Sequence, residues 1–239
     1  MKIYVGILCF FLLGCTSQNA PQKIAKVFNI DEHSSYVVAV NISTKDHGVF
    51  GATGVLIDEK HVVTNYHILE DDTLRIWIEW SSRLDREAIN AEVVFTDKSN
   101  DLLLLKLEEE VAYKTADVFG DRSVFLGKEI FILGFPEATQ ISNTSTLHVF
   151  NGLVSAQQPK SQSDFPRLIL DAKVMQGNSG GPVVDRETGN IVGLISGTIV
   201  DIIDSDDGSK IEGESVGVAI PLELIQIFLQ RYREVDKQS

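Results

Sequence analysis

The sequence predicts an all-β fold of the sandwich or barrel kind that ends in one α-helix. Short runs rich in Val, Ile and aromatic residues recur along the chain, and Gly, Asp and Lys break them at short intervals. Apolar and polar residues alternate over 73–80, which is typical of a strand with one face in the core. Pro221 opens a final apolar segment with late cations, which favours a helix over 221–235.

The predicted strands fall into two sets, which a charged segment over 108–117 separates. The first set comprises the runs at 36–44, 49–57, 61–65, 73–80, 90–96 and 102–107. The second set comprises the runs at 129–135, 147–156, 167–171, 182–185, 190–199 and 215–220. The chain shows no internal repeat or coiled coil, and a domain of about 200 residues can bury a sufficient core without disulfides.

The first residues are typical of a targeting segment. Lys2 precedes an apolar run that is too short to span a membrane and that ends in Leu-Leu-Gly-Cys. This ending resembles a bacterial lipobox, which implies cleavage before Cys15 and acylation of its thiol. We therefore expect a signal peptide over 1–14, a lipidated cysteine with a tether and leading segment over 15–34, and one folded domain over 35–239. The alternatives are an uncleaved anchor or ordinary secretion.

The charge balance limits the partners. A net charge of −13 argues against a nucleic-acid partner, which favours a basic face, and against electrostatic docking on anionic lipid. The densest acidic stretch runs over 201–208 and continues to Glu212 and Glu214. No register of this stretch places its acids and Gly208 at EF-hand positions, so we predict a solvated loop and no metal or cofactor.

One glycine-rich stretch carries the strongest chemical signal. Residues 177–185 read Gly-Asn-Ser-Gly-Gly-Pro-Val-Val-Asp, which places Ser179 at a tight turn before an apolar strand. Glycine at 177 lets the N–H groups of Gly177 and Ser179 point at one spot, as an oxyanion hole requires. The alternative is a glycine-rich turn whose serine has no role, because a short motif is only a hypothesis until its context agrees.

The histidines decide between two hydrolase arrangements. Gly177, Ser179 and Gly181 also match the Gly-x-Ser-x-Gly nucleophile elbow of α/β-hydrolases, where the order of the catalytic residues along the chain is Ser, acid, His. That order fails, because all histidines precede Ser179; they are His33, His47, His61, His67 and His148. The order His, Asp, Ser remains.

The base and its orienting acid follow from their positions at strand ends. His67 lies where an apolar strand gives way to a turn, and Asp101 opens a run of leucines that would half-bury it beside an imidazole. His61 begins the apolar strand that leads to His67, and it is interpreted as a turn residue. Asp97 lies in a polar turn and is interpreted as an exposed turn residue.

The histidine, aspartate and serine segments, and the order in which they follow one another along the chain, resemble those of trypsin-like serine proteases of the HtrA/Deg branch. The resemblance implies two six-stranded antiparallel β-barrels of the chymotrypsin type, over 35–115 and 118–220, with the site in the cleft between them. The matching segments are 51–57, 63–67, 100–106, 132–136, 171–173, 177–182, 193–197 and 217–221.

The same resemblance implies a serine endopeptidase that acts on polypeptides in the bacterial cell envelope, lipid-anchored and without a cofactor. Its catalytic residues would be His67, Asp101 and Ser179, with the oxyanion hole described above. Substrate-binding residues by position would be Lys173, Gln176, Ser196 and Gly197. Alternatives are a non-proteolytic or partner-activated peptide-binding module on the same fold, and an esterase.

The sequence also departs from that branch at several places. Members of that branch carry PDZ domains after the protease, and we expect none here, because only about one helix follows Pro221 in this sequence. Met175-Gln176 replaces the Asn-Pro that precedes the serine motif in the branch. Asn178 stands where trypsin-type zymogens carry an Asp that pairs with a new N-terminus. Because Asn178 is neutral, we predict no activation by propeptide cleavage.

Overall fold

A computed structural model describes residues 29–81, 88–119, 124–137, 145–158, 166–204 and 210–237. Within these ranges, twelve strands close into two antiparallel barrels of six strands each, and a helix follows the second barrel. The predicted fold class, with two six-stranded barrels and a C-terminal helix, is therefore confirmed. The predicted signal peptide over 1–14 and the predicted lipidation site at Cys15 lie outside the described residues.

The first barrel follows the order β1-β2-β3-β6-β5-β4 around its wall. Its strands are β1 (Val37–Thr44), β2 (Gly48–Leu56), β3 (His61–Thr64), β4 (Thr73–Glu79), β5 (Ile89–Asp97) and β6 (Leu102–Leu107). Residues 102–105 of β6 are all fully buried leucines. Successive side chains of a strand point to opposite faces, so β6 is covered on both sides and its ends are held firmly.

The second barrel follows the order β10-β11-β12-β9-β8-β7. Its strands are β7 (Glu129–Gly134), β8 (His148–Gln158), β9 (Arg167–Ala172), β10 (Pro182–Asp185), β11 (Ile191–Asp204) and β12 (Lys210–Pro221). Branched aliphatic residues that alternate along these strands fill the interior, among them Ile130, Ile132, Val154, Leu170, Val183 and Ile195.

One stretch of the second barrel corrects the sequence interpretation. The acidic residues 201–204 and 210–214 form strand, because β11 and β12 continue past the barrel as a ribbon in which Ile203 pairs with Ile211. The predicted loop over 201–214 is therefore wrong for these residues. Acidic composition predicts solvation rather than a secondary structure, so it does not distinguish a two-stranded ribbon from a loop.

Three helical segments accompany the barrels in the described ranges: α1 (Ile30–Ser34), a 3₁₀ turn η1 (Tyr66–Ile68) and α2 (Leu222–Asp236). Helix α1 was not predicted; the Asn29 side chain caps it by accepting a hydrogen bond from the N–H of Asp31 at 3.0 Å. No helix in the described part of the chain is long and apolar enough to cross a membrane.

Helix α2 ties the end of the chain to both barrels. It leaves β12 of the second barrel and packs Phe228 against Phe95 of β5, with ring centroids 5.1 Å apart. Gln226 donates from Nε2 to the carbonyl of Val118 in the inter-barrel segment at 2.7 Å. The Tyr232 hydroxyl lies 3.1 Å from Nε2 of His61 at the start of β3. The helix therefore acts as a strap across the two barrels.

Removal of a buried side chain from helix α2 should destabilise the whole fold. Phe228 is 1% exposed, so Phe228→Ala should lower the free energy of unfolding by about 3–5 kcal/mol, because a buried aromatic ring leaves a cavity. Its neighbour Ile227 is 46% exposed, and Ile227→Ala should lose only a small fraction of that amount. Urea denaturation of both variants measures the difference; similar losses would contradict the burial argument.

Candidate active site

The two barrels meet along a free edge of β2. This strand pairs with β1 throughout but with β3 only at Val55 and Leu56, so the edge at residues 51–53 has no strand partner in the first barrel. The N–H of Thr53 donates to the carbonyl of Ser179 in the second barrel at 2.8 Å. Two residues earlier on the same edge, the N–H of Gly51 donates to Oε1 of Glu137 at 2.6 Å. The edge therefore fixes one barrel relative to the other.

The serine turn requires glycine at two positions. Gly177 and Gly180 have φ values of 94° and 83°, in the left-handed region that residues with a Cβ rarely adopt. A Cβ at 177 would also lie 2.5 Å from the carbonyl oxygen of Phe135. Glycine thus allows the turn to lie directly against the segment that follows β7.

The side chain of Thr53 connects three segments at this turn. Its hydroxyl donates to the carbonyl of Gly177 at 2.7 Å and accepts from the N–H of Phe135 at 3.0 Å. The hydroxyl of Thr64 in β3 donates to the Thr53 carbonyl at 2.7 Å. Thr53 is fully buried, so all of these bonds form away from water. Sequence reasoning missed this residue, because nothing in its local pattern points across to the other barrel.

The three residues predicted to act together are brought together. His67 lies in η1, directly after β3, and its Nδ1 is 2.9 Å from Oδ2 of Asp101. Its Nε2 is 3.2 Å from Oγ of Ser179. The backbone N–H of His67 also donates to Oδ1 of Asp101 at 2.9 Å, which fixes the ring relative to the carboxylate. The imidazole is 47% exposed, so one face of the group is open to a substrate.

Asp101 is held by both its backbone and its side chain. It has φ of 63°, a left-handed conformation that Asp tolerates better than most residues and that turns the chain into β6. Its carbonyl accepts from the N–H of Tyr66 at 3.2 Å and from Nδ2 of Asn65 at 3.1 Å. Its side chain is only 17% exposed. The turn that carries the base and the turn that carries the acid are therefore bonded to each other at several points.

A β-bulge supplies a further donor to Asp101. The pairing of β11 with β12 slips between Ile195 and Gly197, and Ser196 is the extra residue. A bulge re-aims the side chain that it carries. Here the Ser196 hydroxyl donates to Oδ2 of Asp101 at 2.6 Å. Sequence reasoning placed Ser196 in the substrate groove and missed this contact, because a bulge leaves no signal in the residue pattern.

Burial and hydrogen bonding act in opposite directions on Asp101. Burial raises the pKa of its carboxyl, but the hydrogen bonds from His67 and Ser196 and the nearby imidazole outweigh that effect. The pKa of Asp101 therefore lies below its usual value. The group is a carboxylate throughout the neutral range and can stabilise an imidazolium beside it.

Asp97 corrects the sequence interpretation. Its side chain is 10% exposed rather than open to solvent, and it accepts from Nη1 of Arg231 in α2 at 3.0 Å. It also accepts from the backbone N–H and from Nδ2 of Asn100, at 3.2 Å and 2.9 Å. Asp97 therefore closes the turn that leads into Asp101. The prediction failed because Arg231 lies 134 residues further along the chain.

The remaining histidine of this region has a structural setting. His61 is the first residue of β3, and its Nδ1 lies 2.9 Å from Oδ1 of Asp58. Its Nε2 faces the Tyr232 hydroxyl of the strap helix. Its ring nitrogens contact Asp58 and Tyr232 rather than Ser179, in keeping with its assignment outside the site.

The other residues assigned to the site lie around the serine turn. Lys173 and Gln176 are exposed in the segment between β9 and β10, and Gly197 lies in β11 opposite Val218. Their contacts with a substrate remain predictions. Asn178 is fully buried, and its side-chain amide meets no hydrogen-bond partner among the described residues. Within the described ranges, no group of three or more His, Cys, Asp or Glu side chains could hold a metal ion.

Two closed six-stranded barrels, with a His, an Asp and a Ser in hydrogen-bond contact in the cleft between them, define the chymotrypsin-like class of folds. The model of the trypsin-like peptidase domain family matches residues 52–194, which is more than half of the chain. The chain therefore belongs to that family.

Relatives of this chain include HtrA-type proteases. The serine protease Do-like HtrA of Bacillus subtilis is 28% identical over 188 residues, which cover 75% of this chain and 38% of that protein. The serine endoprotease DegS of Salmonella typhimurium is 27% identical over 214 residues, which cover 87% of this chain and 53% of that protein. The chain thus spans about half, or less, of the length of these relatives.

Solved structures agree on the fold. A serine endoprotease from Yersinia pestis superposes with a TM-score of 0.65 at 22% identity, over 85% of this chain and 64% of that one. A protease from M. tuberculosis superposes with a TM-score of 0.63 at 18% identity, over 84% of this chain and 82% of that one. At these identities the likeness concerns the fold alone.

The Thr53 hydroxyl should be worth more than the Thr53 methyl group. Thr53→Val keeps the shape but leaves the Gly177 carbonyl and the Phe135 N–H unpaired and buried, which should cost about 1–3 kcal/mol of stability. Thr53→Ser keeps the hydroxyl and should cost about 0.8 kcal/mol for the lost methyl. Urea denaturation compares them; a valine variant as stable as the serine variant would contradict the role of the hydroxyl.

The contribution of Ser196 to stability should depend on pH. Ser196→Ala removes a donor to the charged form of Asp101, so the Asp101 pKa should rise and stability at pH 7 should fall by about 1.5–3 kcal/mol. A lowered pKa contributes stability above the unfolded value of about 3.9 and loses it as the pH falls through the folded value. The gap between wild type and variant should therefore narrow from pH 7 to pH 3 in urea denaturation. A constant gap would mean that the hydroxyl does not act through Asp101.

Proposed function

We propose that the protein is a serine endopeptidase that cleaves polypeptides through an acyl-enzyme, with Ser179 as nucleophile. One observation carries the proposal: an unbroken chain of hydrogen-bond contacts runs from Ser179 through His67 to the largely buried carboxylate of Asp101. The order His, Asp, Ser along the sequence agrees with membership of the trypsin-like peptidase domain family.

Acylation begins with attack of Ser179 Oγ on the scissile carbonyl, while Nε2 of His67 takes the hydroxyl proton. The imidazolium that forms is stabilised by Asp101, whose lowered pKa keeps it ionised. The C–N bond then breaks, and His67 gives its proton to the leaving amine. Water repeats the sequence on the ester, which releases the acid and restores the Ser179 hydroxyl.

The oxyanion is held by the N–H groups of Gly177 and Ser179. Neither N–H donates to an acceptor among the described residues, whereas the N–H groups of Asn178, Gly180 and Gly181 all donate to carbonyls of the fold. Two donors without an acceptor among the described residues, in the turn that carries the nucleophile, are suited to a developing negative charge, a large term in acyl transfer.

Substrate contacts come from residues on both sides of the serine. Gln176 and Gly197 form walls of the substrate groove, and Lys173 lies where the primary specificity pocket has its floor. Lys173 is exposed, and its long stem can keep the ammonium in water rather than bury it in the pocket. The backbone of β11 beside Ser196 lines the same groove, although the hydroxyl of that serine is engaged with Asp101.

The setting of this activity is the bacterial cell envelope. The lipobox-like ending at Cys15 supports a lipid anchor, a signal peptide over 1–14 and a tether over 15–34, with the protease domain over 35–239. The similarity to HtrA-type proteases agrees with an envelope location and with polypeptide substrates.

Labelling with a fluorophosphonate probe tests the nucleophile. The probe reacts only with a serine that is activated by a base and an oxyanion hole, so the wild type should be labelled and Ser179→Ala should not. Peptide cleavage should fall by about 10⁶-fold in kcat in the same variant, and by about 10⁴-fold in Asp101→Asn. Mass spectrometry of the labelled peptide would locate the adduct at Ser179.

Two other results would point elsewhere. A folded wild type without labelling would contradict the proposal and favour a binding module that holds peptide in the cleft. Labelling with cleavage of esters but not of peptides or casein would favour an esterase on the same fold.

A further inference from the structure

The peptide groups of the serine turn are almost all fixed by bonds to the fold. The Asn178 carbonyl accepts from the N–H of Gly181 at 2.9 Å, and the carbonyls of Gly177 and Ser179 accept from Thr53. These bonds orient the peptide groups that follow residues 177, 178 and 179. The donors belong to buried residues and leave these groups little freedom.

The peptide group between Gln176 and Gly177 has a different anchor. The Gln176 carbonyl accepts a hydrogen bond from the backbone N–H of Glu137 at 3.0 Å. The described chain contains no cis peptide bond, and the C=O and N–H of a planar trans peptide point in opposite directions. The bond to Glu137 therefore turns the N–H of Gly177 away from residue 137, to the side where it meets no acceptor among the described residues.

Glu137 is itself anchored on the first barrel. Its carboxylate accepts from the N–H of Gly51 on the free edge of β2 at 2.6 Å, a charge-assisted bond to a backbone donor. Glu137 is thus bonded to the first barrel through its carboxylate and to the serine turn of the second barrel through its N–H. Its side chain is half-buried rather than part of the core, so the core does not depend on it.

We propose that Glu137 is a positioning residue for the oxyanion site: its carboxylate, bound to Gly51, holds its N–H on the Gln176 carbonyl and so keeps the Gly177 N–H aimed at the substrate. This inference rests on the proposed function. Without the carboxylate bond to Gly51, the Glu137 N–H is no longer held against the Gln176 carbonyl, and the Gln176–Gly177 peptide group can rotate. One oxyanion donor then leaves the site while the nucleophile and base stay in place.

The variants Glu137→Ala and Glu137→Gln separate this role from a general loss of structure. The alanine removes the acceptor, whereas a glutamine keeps an amide oxygen that can accept from Gly51. Loss of a whole oxyanion donor lowers kcat by about 10²–10³-fold, so Glu137→Ala should lower kcat at least about tenfold with little change in KM. Glu137→Gln should keep most of the wild-type kcat. Glu109→Ala, at an exposed glutamate between the barrels, is the matched control and should behave as wild type.

The decisive experiment measures fluorophosphonate labelling, peptide kinetics and hydrogen exchange on the same samples. Slow labelling in Glu137→Ala, with rescue in Glu137→Gln, supports the inference. So does weaker protection of the residue-137 amide from exchange in the alanine variant alone, because that amide donates to the Gln176 carbonyl. Equal labelling of wild type and Glu137→Ala overturns it and leaves the proposed function intact. A folded wild type that does not label overturns the proposed function, and exchange then decides the inference by itself: equal protection of the residue-137 amide in wild type and Glu137→Ala rejects it.

Discussion

The structure depends on the free edge of one strand. The N–H groups of residues 51 and 53 in β2 both point away from β1 and bind groups of the other barrel, and the Thr53 hydroxyl adds two more bonds. A slip of one residue in a strand would turn its side chains to the opposite face and remove these donors from their acceptors. The register of β2 therefore sets the distance between the serine turn and the residues that face it.

The two sides of the candidate site obtain their rigidity in different ways. Asp101 lies at the mouth of a strand that is buried on both faces, and a turn closed by Asp97 and Arg231 leads into it. The serine turn is fixed by backbone hydrogen bonds instead: the N–H of Gly180 donates to the carbonyl of Ile195 in β11, and the carbonyl of Ser179 accepts from the N–H of Thr53 in β2. A largely buried carboxylate such as Asp101 needs several hydrogen-bond donors to stay charged, whereas the proposed oxyanion site needs N–H donors that no protein group occupies. The hydrogen bonds on each side therefore suit the charge that the side carries.

Regular features of the fold could be predicted, and contacts between distant residues could not. Strand positions follow from runs of apolar residues and the turns between them, and the order His67, Asp101, Ser179 excluded one hydrolase arrangement at once. The Ser196 bond to Asp101 arises from a bulge, which is a property of strand pairing. The links through Thr53 and Glu137 join these residues to backbone groups of distant segments, and backbone groups occur at every position, so the sequence pattern holds no trace of them.

The arrangement of the site also has a consequence for how the protein matures. Ser179 belongs to the second barrel, and its partners belong to the first, so no half of the chain holds the set that the proposed chemistry needs. On the proposed function, a newly made chain has no complete site until both barrels have closed and docked along β2. Partly folded copies would then be unable to cleave one another while their unfolded segments are still exposed.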